Sequence, residues 1–175
     1  MIIDSEGMRH NVCIILCNEQ GKIFLAKRVN KDAWQFPQGG INKGEEPVEA
    51  MYREMHEEIG VNKNEVKLIS ESTNWFRYKI PKKIVDMNNY KYIGQKQKSF
   101  LVKVPKDLKF NFKNSEEPQE FDDFTWVNYW FPIHKTIFFK KHAYRNMLVE
   151  FLPTYNEHFF GVKSSRAKVN LDPLI

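Results

Sequence analysis

The stretch that decides the fold is GGINKGEEPVEAMYREMHEEIGV, which runs from Gly39 to Val61 and contains six glutamates and no aspartate. Pro47 suits the first turn of a helix, and Gly60 suits the position just after its end. Four apolar residues recur at helical spacing: Val48, Met51, Met55 and Ile59. The stretch therefore predicts a glycine-containing loop followed by one helix with a buried face.

Three of the glutamates, Glu54, Glu57 and Glu58, lie three and four positions apart and so share one face of the predicted helix. Like charges at this spacing destabilise a helix by roughly 0.2 to 0.5 kcal/mol per pair, and burial raises that penalty. A bound Mg²⁺ would compensate, because this hard cation prefers oxygen ligands. The alternative is a solvated acidic face that is neutralised by Arg53 and nearby lysines.

The fixed residues around the glutamates resemble the Nudix box, the signature of the Nudix hydrolase family. Every fixed position of the family pattern is present: Gly39, Glu45, Arg53, Glu54, Met55, Glu57, Glu58, Gly60 and Val61. The resemblance implies an α/β fold, an α/β/α sandwich with a mixed β-sheet between helices. It also implies hydrolysis of a nucleoside diphosphate linked to another group.

Within the box, the resemblance implies structural roles for Glu45, Arg53 and Gly60. An arginine fork beside Glu57 would hold a carboxylate in position, and Gly60 would end the helix in a left-handed conformation. One glutamate must accept a proton during catalysis. Glu54 is the first candidate for this base, and Glu57 is the second, because the sequence does not distinguish a metal-bound carboxylate from a general base.

The resemblance also implies a set of metal ligands. They are the carbonyl of Gly39, the carboxylates of Glu54, Glu57 and Glu58, and Glu120 in the loop QEFDDF. The expected cofactor is Mg²⁺, with Mn²⁺ as the alternative divalent cation. Two ions roughly 3.5 to 4 Å apart would activate water and neutralise charge on the leaving oxygen.

Four blocks outside the box resemble the bacterial RNA pyrophosphohydrolases of this family: WQFPQGGI, NWFRYKIPK, IGQKQKSFLVKV and EFDDFTWVNYWFP. This resemblance implies removal of pyrophosphate from the 5′-triphosphate end of RNA, or of phosphate from a diphosphate end. The product is a 5′-monophosphate end, which promotes decay of messenger RNA. Free dinucleoside polyphosphates are the alternative substrates, and a non-catalytic RNA-binding or nucleotide-binding module is the alternative class.

The same resemblance implies five substrate-binding residues. Arg9 and Arg28 would contact phosphates, because a guanidinium fork matches phosphate oxygens. Gln95, Phe139 and Lys140 would lie near the first nucleotides, with a base stacked on Phe139 for roughly 1 to 3 kcal/mol. The residues alone leave two other interpretations open: Phe139 as a core residue, and Arg9 and Arg28 as ordinary surface charges.

The composition is basic, with 27 lysines and arginines against 22 acidic residues and a formal net charge of +5. Such a balance favours polyanionic partners such as nucleic acid. Cys13 and Cys17 lack the companions of a zinc site and are expected to be buried thiols. No apolar run approaches the roughly 18 residues of a membrane span, so we expect a cytoplasmic protein without a membrane partner.

The remaining pattern predicts mixed α and β structure in one domain. VCIILCN and KIFLAKRV read as two strands joined by a short hairpin turn. Further strands are expected in VKLISES, WFRYKI, KSFLVKV and FTWVNYW, and a second amphipathic helix is expected from about residue 134 to 151. We expect a Nudix hydrolase domain over residues 6–150 and a flexible tail over 151–175.

Overall fold

The computed structural model describes residues 1–113 and 118–162. Within them the strands are β1 (Met8–Cys17), β2 (Ile23–Arg28), β3 (Trp34–Gln35), β4 (Gln38–Gly40), β5 (Lys67–Glu71), β6 (Phe76–Lys79), β7 (Gly94–Lys103) and β8 (Phe121–Val127). The α-helices are α1 (Pro47–Ile59), α2 (Lys82–Met87), α3 (Pro132–Lys135) and α4 (Lys141–Phe160). Short 3₁₀ turns occur at Lys63–Glu65 and Phe138–Lys140. In these described ranges no helix is both long and apolar enough to cross a membrane.

The strands form one mixed sheet around β1. β1 runs parallel to β7 from the pair Met8 and Gly94 to the pair Cys17 and Lys103. β4 pairs antiparallel with β1, and β5 and β6 pair antiparallel with β7. The predicted hairpin of β1 and β2 is present, but its register is limited to Cys17 and Ile23. β2 instead pairs along its length with β8, which follows almost a hundred positions later.

Two apolar layers cover the two faces of the sheet. Odd-numbered residues of β1, such as Cys13 and Ile15, pack with the buried residues of α4. Even-numbered residues, such as Val12 and Ile14, pack with Met51 and the other buried residues of α1. Since successive side chains of a strand point to opposite faces, a strand covered on both sides must be apolar throughout. This arrangement confirms the predicted α/β sandwich with a mixed sheet, and both cysteines are free and buried as expected.

Helix α1 has the bounds that its sequence predicts. Pro47 is its first residue, and the Glu49 carboxylate accepts a hydrogen bond from the Glu46 backbone N–H at 3.1 Å. Gly60 follows the last turn with φ of 70°, a left-handed conformation that glycine adopts without steric cost. Met51, Met55 and Ile59 are fully buried. The buried apolar stripe fixes which face of the helix carries the glutamates.

The second long helix differs from its prediction. The segment begins with the short helix α3 and a 3₁₀ turn, and α4 then continues to Phe160. The expected boundary at residues 150 and 151 therefore falls inside a helix, and residues 151–160 are not a flexible tail. Tyr155 anchors these turns, because it is buried and its ring centroid lies 4.1 Å from that of Tyr129. The part of the expected tail from residue 163 onward lies outside the described residues.

Candidate active site

Strand β4 and helix α1 meet at a glycine. A Cβ atom placed on Gly39 would lie 1.7 Å from Glu54 Cδ and 1.8 Å from Glu54 Oε2. Only glycine therefore lets the Glu54 carboxylate rest against the strand. Glycine at position 39 thus has a steric reason, while the metal contact of its carbonyl stays a prediction.

Arg53 holds several of the box residues together. Its Nε and Nη2 donate to the two carboxylate oxygens of Glu45 at 2.7 and 2.9 Å. Its Nη1 donates to Glu54 Oε1 at 2.7 Å and to Glu57 Oε2 at 3.0 Å, and Nη2 also reaches the Gly40 carbonyl oxygen at 2.8 Å. The hydrogen bonds from Arg53 lower the pKa of Glu45. Such a two-pronged arginine–carboxylate pair fixes orientation as well as charge.

Glu58 is the most deeply buried of the glutamates on α1, with 8% of its surface exposed. Its Oε2 accepts a hydrogen bond from the Gln38 backbone N–H at 2.9 Å. Burial raises the pKa of Glu58 well above its usual value, and the negative charges of Glu120 and Glu54 raise it further. Burial also raises the pKa of Glu54, against the opposing effect of Arg53. The carboxylates of Glu54, Glu58 and Glu120 therefore share one region of negative potential.

The predicted metal ligands lie near one another but do not form a finished coordination shell. In the described ranges no three acidic, histidine or cysteine side chains converge closely enough to hold a metal ion. Arg53 Nη1 lies between the carboxylates of Glu54 and Glu57, and Glu120 Oε2 lies 3.7 Å from Arg28 Nη1. The donors on offer are nonetheless all oxygens, and Glu54 and Glu58 are largely buried, whereas the Glu57 and Glu120 side chains are partly exposed. That chemistry fits a hard divalent cation.

A cavity of about 440 Å³ is lined in part by Gln38, whose backbone N–H donates to Glu58. Aromatic rings form much of its wall, and they belong to Trp34, Tyr78, Tyr90, Tyr92 and Phe139. Polar groups among its lining include Arg28, Gln35, Gln38, Gln95 and Lys140. Polar and apolar groups contribute about equally to the lining, so the cavity is more polar than the usual small-molecule site and offers both rings and hydrogen-bonding groups to a ligand.

The structure brings four of the five predicted substrate-binding residues to this cavity: Arg28, Gln95, Phe139 and Lys140. Phe139 combines the two interpretations of its sequence, because it is partly buried against the core and also lines the cavity. Arg9 is not a lining residue. Its guanidinium carbon lies 5.6 Å from the centroid of the Tyr92 ring, which does line the cavity. The substrate contacts of these residues stay predictions.

Lys140 is held by two glutamines that the sequence analysis did not single out. Its ammonium is buried, and Nζ donates to Gln35 Oε1 and to Gln38 Oε1, each at 3.2 Å. Burial lowers the pKa of Lys140 to about 8. Gln95 Oε1 accepts hydrogen bonds from Tyr78 and from Asn11 Nδ2 and is thus engaged within the protein. No signal in the sequence marks the two glutamines of WQFPQGGI, because that segment is rich in turn residues, where an amide can equally be solvated.

Comparison with known proteins agrees with this architecture. The family model described as the NUDIX domain matches residues 7–151. A protein of Pseudoalteromonas translucida named RNA pyrophosphohydrolase is 46% identical over 154 residues, which cover 87% of this chain and 89% of that protein. One of the same name from Aliivibrio fischeri is 47% identical over 152 residues, which cover 86% and 89%. The E. coli dihydroneopterin triphosphate pyrophosphohydrolase superposes with a TM-score of 0.62 at 14% identity over 81% of this chain and 97% of that chain, a likeness of fold alone.

Proposed function

This chain belongs to the NUDIX family of hydrolases, which cleave phosphoric anhydrides, and from that premise we propose that it is an RNA 5′-pyrophosphohydrolase. It removes pyrophosphate from the 5′-triphosphate end of RNA, or phosphate from a diphosphate end. The monophosphate end that remains is the form that leads to decay of messenger RNA. The proposal places the protein in the cytoplasm, where transcripts are made.

One observation carries the proposal: two adjacent residues connect the glutamates to the cavity. Gln38 lines the cavity, and Gly39 directly after it lies against the Glu54 carboxylate. A nucleotide whose base enters the cavity therefore has its phosphates within reach of the glutamates. RNA with a polyphosphate at its 5′ end has this form, and the relatives named RNA pyrophosphohydrolase share most of the chain.

The residues that would hold a divalent cation, Mg²⁺ first and Mn²⁺ as the alternative, are Gly39, Glu54, Glu57, Glu58 and Glu120. When bound, the cation supplies neutralisation of phosphate charge and a more acidic water. Arg53 orients Glu54 and Glu57 through its hydrogen bonds to both carboxylates. Glu54 is the proposed base; Arg53 binds one carboxylate oxygen of Glu54 and one of Glu57 and leaves the other oxygen of each to accept a proton. Glu57 is the second candidate.

On the substrate side, Arg9 and Arg28 contact phosphate oxygens, and Phe139 offers a face for a base. Lys140 supplies a buried cation, whose Nζ lies 5.5 Å from the centroid of the Tyr78 ring. Gln95 lines the same cavity. Free dinucleoside polyphosphates have the same base and phosphate parts, so they are the second candidate substrates.

The test measures release of pyrophosphate and phosphate from a short RNA with a 5′-triphosphate, in Mg²⁺ and in excess EDTA. We expect release only with Mg²⁺. Glu57→Gln should lose on the order of 10²- to 10³-fold in turnover, since removing a metal-binding charge forfeits several kcal/mol of transition-state stabilisation.

Glu19→Gln is the matched control, because Glu19 is exposed in the turn after β1 and should leave turnover unchanged. Release that persists in EDTA, or an active Glu57→Gln protein, would overturn the metal-dependent mechanism. A strong preference for diadenosine tetraphosphate over RNA would instead replace the substrate. Binding of RNA without any release would mean a non-catalytic module.

A further inference from the structure

Gln38 contacts Lys140 in the cavity through its side chain and Glu58 on α1 through its backbone N–H. We propose that Gln38 is a positioning residue: its side chain aims the Lys140 ammonium into the cavity while its backbone fixes Glu58. One residue thereby sets the position of the Lys140 ammonium relative to the Glu58 carboxylate, and so the position of the bound nucleotide relative to the site of hydrolysis. The inference rests on the proposed function, because it concerns the same cavity and the same glutamates.

The side-chain contacts define the direction of the ammonium group. An ammonium has three N–H donors. Two of those on Lys140 are directed at Gln35 Oε1 and Gln38 Oε1, both at 3.2 Å, which leaves one for a ligand in the cavity. A buried ammonium without such partners would carry a large desolvation penalty. The two glutamines therefore decide where the remaining N–H of Lys140 points.

The Gln38 amide is itself fixed by its neighbours. Gln97 Nε2 donates to Gln38 Oε1 at 3.2 Å, and Gln38 Nε2 is 3.4 Å from Gln95 Oε1. Two donors thus meet the oxygen of the amide, and an acceptor faces its nitrogen. Only one orientation of the Gln38 amide satisfies these partners together.

The backbone of the same residue acts on the glutamates. Gln38 N–H donates to Glu58 Oε2 at 2.9 Å, and strand β4 is paired with β1 at Cys13 and Gln38 and at Val12 and Gly39. Gln38, a residue of a paired strand, therefore fixes the distance between the Lys140 ammonium and the Glu58 carboxylate. A neighbour such as Gln35 holds Lys140 but makes no such contact with Glu58 among the described residues.

The experiment is a double-mutant cycle with Gln38→Met and Lys140→Met, measured on a short 5′-triphosphate RNA in Mg²⁺. Methionine keeps the length of the side chain and the backbone N–H but removes the amide. We expect Gln38→Met to raise KM about tenfold or more, the effect of losing a hydrogen bond to a charged group, with a smaller change in kcat. In the Lys140→Met background the same change should have almost no further effect on KM.

The matched control is Gln20→Met, which removes an exposed amide in the turn after β1, outside this network. It should leave KM unchanged both in the wild type and in the Lys140→Met background. An unchanged KM for Gln38→Met, or effects of Gln38→Met and Lys140→Met that simply multiply, would overturn the inference, because Gln38 would then act without Lys140.

A second variant covers the case that Gln38→Met does not fold. Gln38→Glu keeps an acceptor for Lys140, so it should bind RNA nearly as tightly as the wild type but lose affinity sharply in the Lys140→Met background. Absence of this coupling would also contradict the inference. If the wild type turns over dinucleotides and not RNA, the proposed function fails, and the same cycle measured on diadenosine tetraphosphate still tests Gln38.

Discussion

Gly39 has no side chain, and this lets the Glu54 carboxylate lie directly against strand β4. The atoms that an added Cβ would meet are the ends of the flexible Glu54 side chain. We therefore expect Gly39→Ala to fold but to displace that carboxylate. A displacement of about 1 Å lowers turnover on the order of 10²-fold. Steady-state kinetics on triphosphorylated RNA, with thermal melting in parallel, measure this effect.

The control for that change is Gly161→Ala at the end of α4. Gly161 has φ of 67° and open space around it, so alanine there is strained without touching the site. It should lower the free energy of unfolding by about 1 to 2 kcal/mol and leave kcat unchanged. A fully active Gly39→Ala protein would show that Glu54 does not need its place against β4.

At this scale the sequence predicted the residues of the box and their spacing, because each fixed position has a distinct chemical type. It did not predict that Arg53 Nη1 lies between Glu54 and Glu57. It also did not single out Gln35 and Gln38, because an amide in a sequence gives no sign of whether it is exposed or buried. Burial and strand pairing are needed before a glutamine can be assigned to a lysine a hundred residues away.

Among the elements, α1 was the most predictable, since Pro47 and Gly60 mark its ends and its apolar residues follow one period. The sequence predicted the approximate positions of most of the strands, but it did not predict which strands pair with each other. β2 was expected beside β1, whereas its long partner is β8. Pairing depends on which strand covers which face of the sheet, and that is decided by contacts between distant parts of the chain.

Helix α4 contains Pro153 in its interior, on an exposed face. Proline removes one backbone hydrogen bond and crowds the preceding turn. Replacing it by alanine should raise the free energy of unfolding by about 1 to 3 kcal/mol, after allowance for the added freedom of the unfolded chain. Urea unfolding followed by circular dichroism measures the change.

Thr154→Ala in the next position is the comparison for that result. It alters the same turn without removing a proline and should change stability by only about 0.5 kcal/mol. If Pro153→Ala were no more stable than the wild type, the backbone hydrogen bond that proline removes would contribute nothing measurable. The turns beyond Pro153 would then be stabilised by the packing of Tyr155 alone.

For the whole molecule, the buried Lys140 ammonium lowers stability in a pH-dependent way. Its pKa falls from 10.5 to about 8 on folding, chiefly through burial. Between these values the unfolded chain holds a proton that the folded protein has released, so stability rises with pH across this window. Below pH 8 both states are protonated, and the full penalty is present. Lys140→Met should therefore be more stable than the wild type at pH 7, by up to about 3 kcal/mol.

Chemical unfolding of both proteins at pH 7 and at pH 10 tests this, because the difference between them should shrink as pH rises. Lys135→Met is the control, since Lys135 is exposed on the rim of the same cavity and should change stability by only about 0.5 kcal/mol. A difference that is equal at the two pH values would mean that folding does not lower the pKa of Lys140. Functional groups such as this buried lysine commonly lower the stability of the protein that carries them.

The parallel pairing of β1 with β7 also governs how the nascent chain matures. Because Met8 pairs with Gly94 and Cys17 with Lys103, the ribosome must release the chain past Lys103 before the central pair is complete. Until then the edge of β1 that pairs with β7 has no permanent partner. Such unpaired segments are the ones prone to aggregate and to engage chaperones. The central pair of the sheet therefore cannot be completed before β7 has left the ribosome.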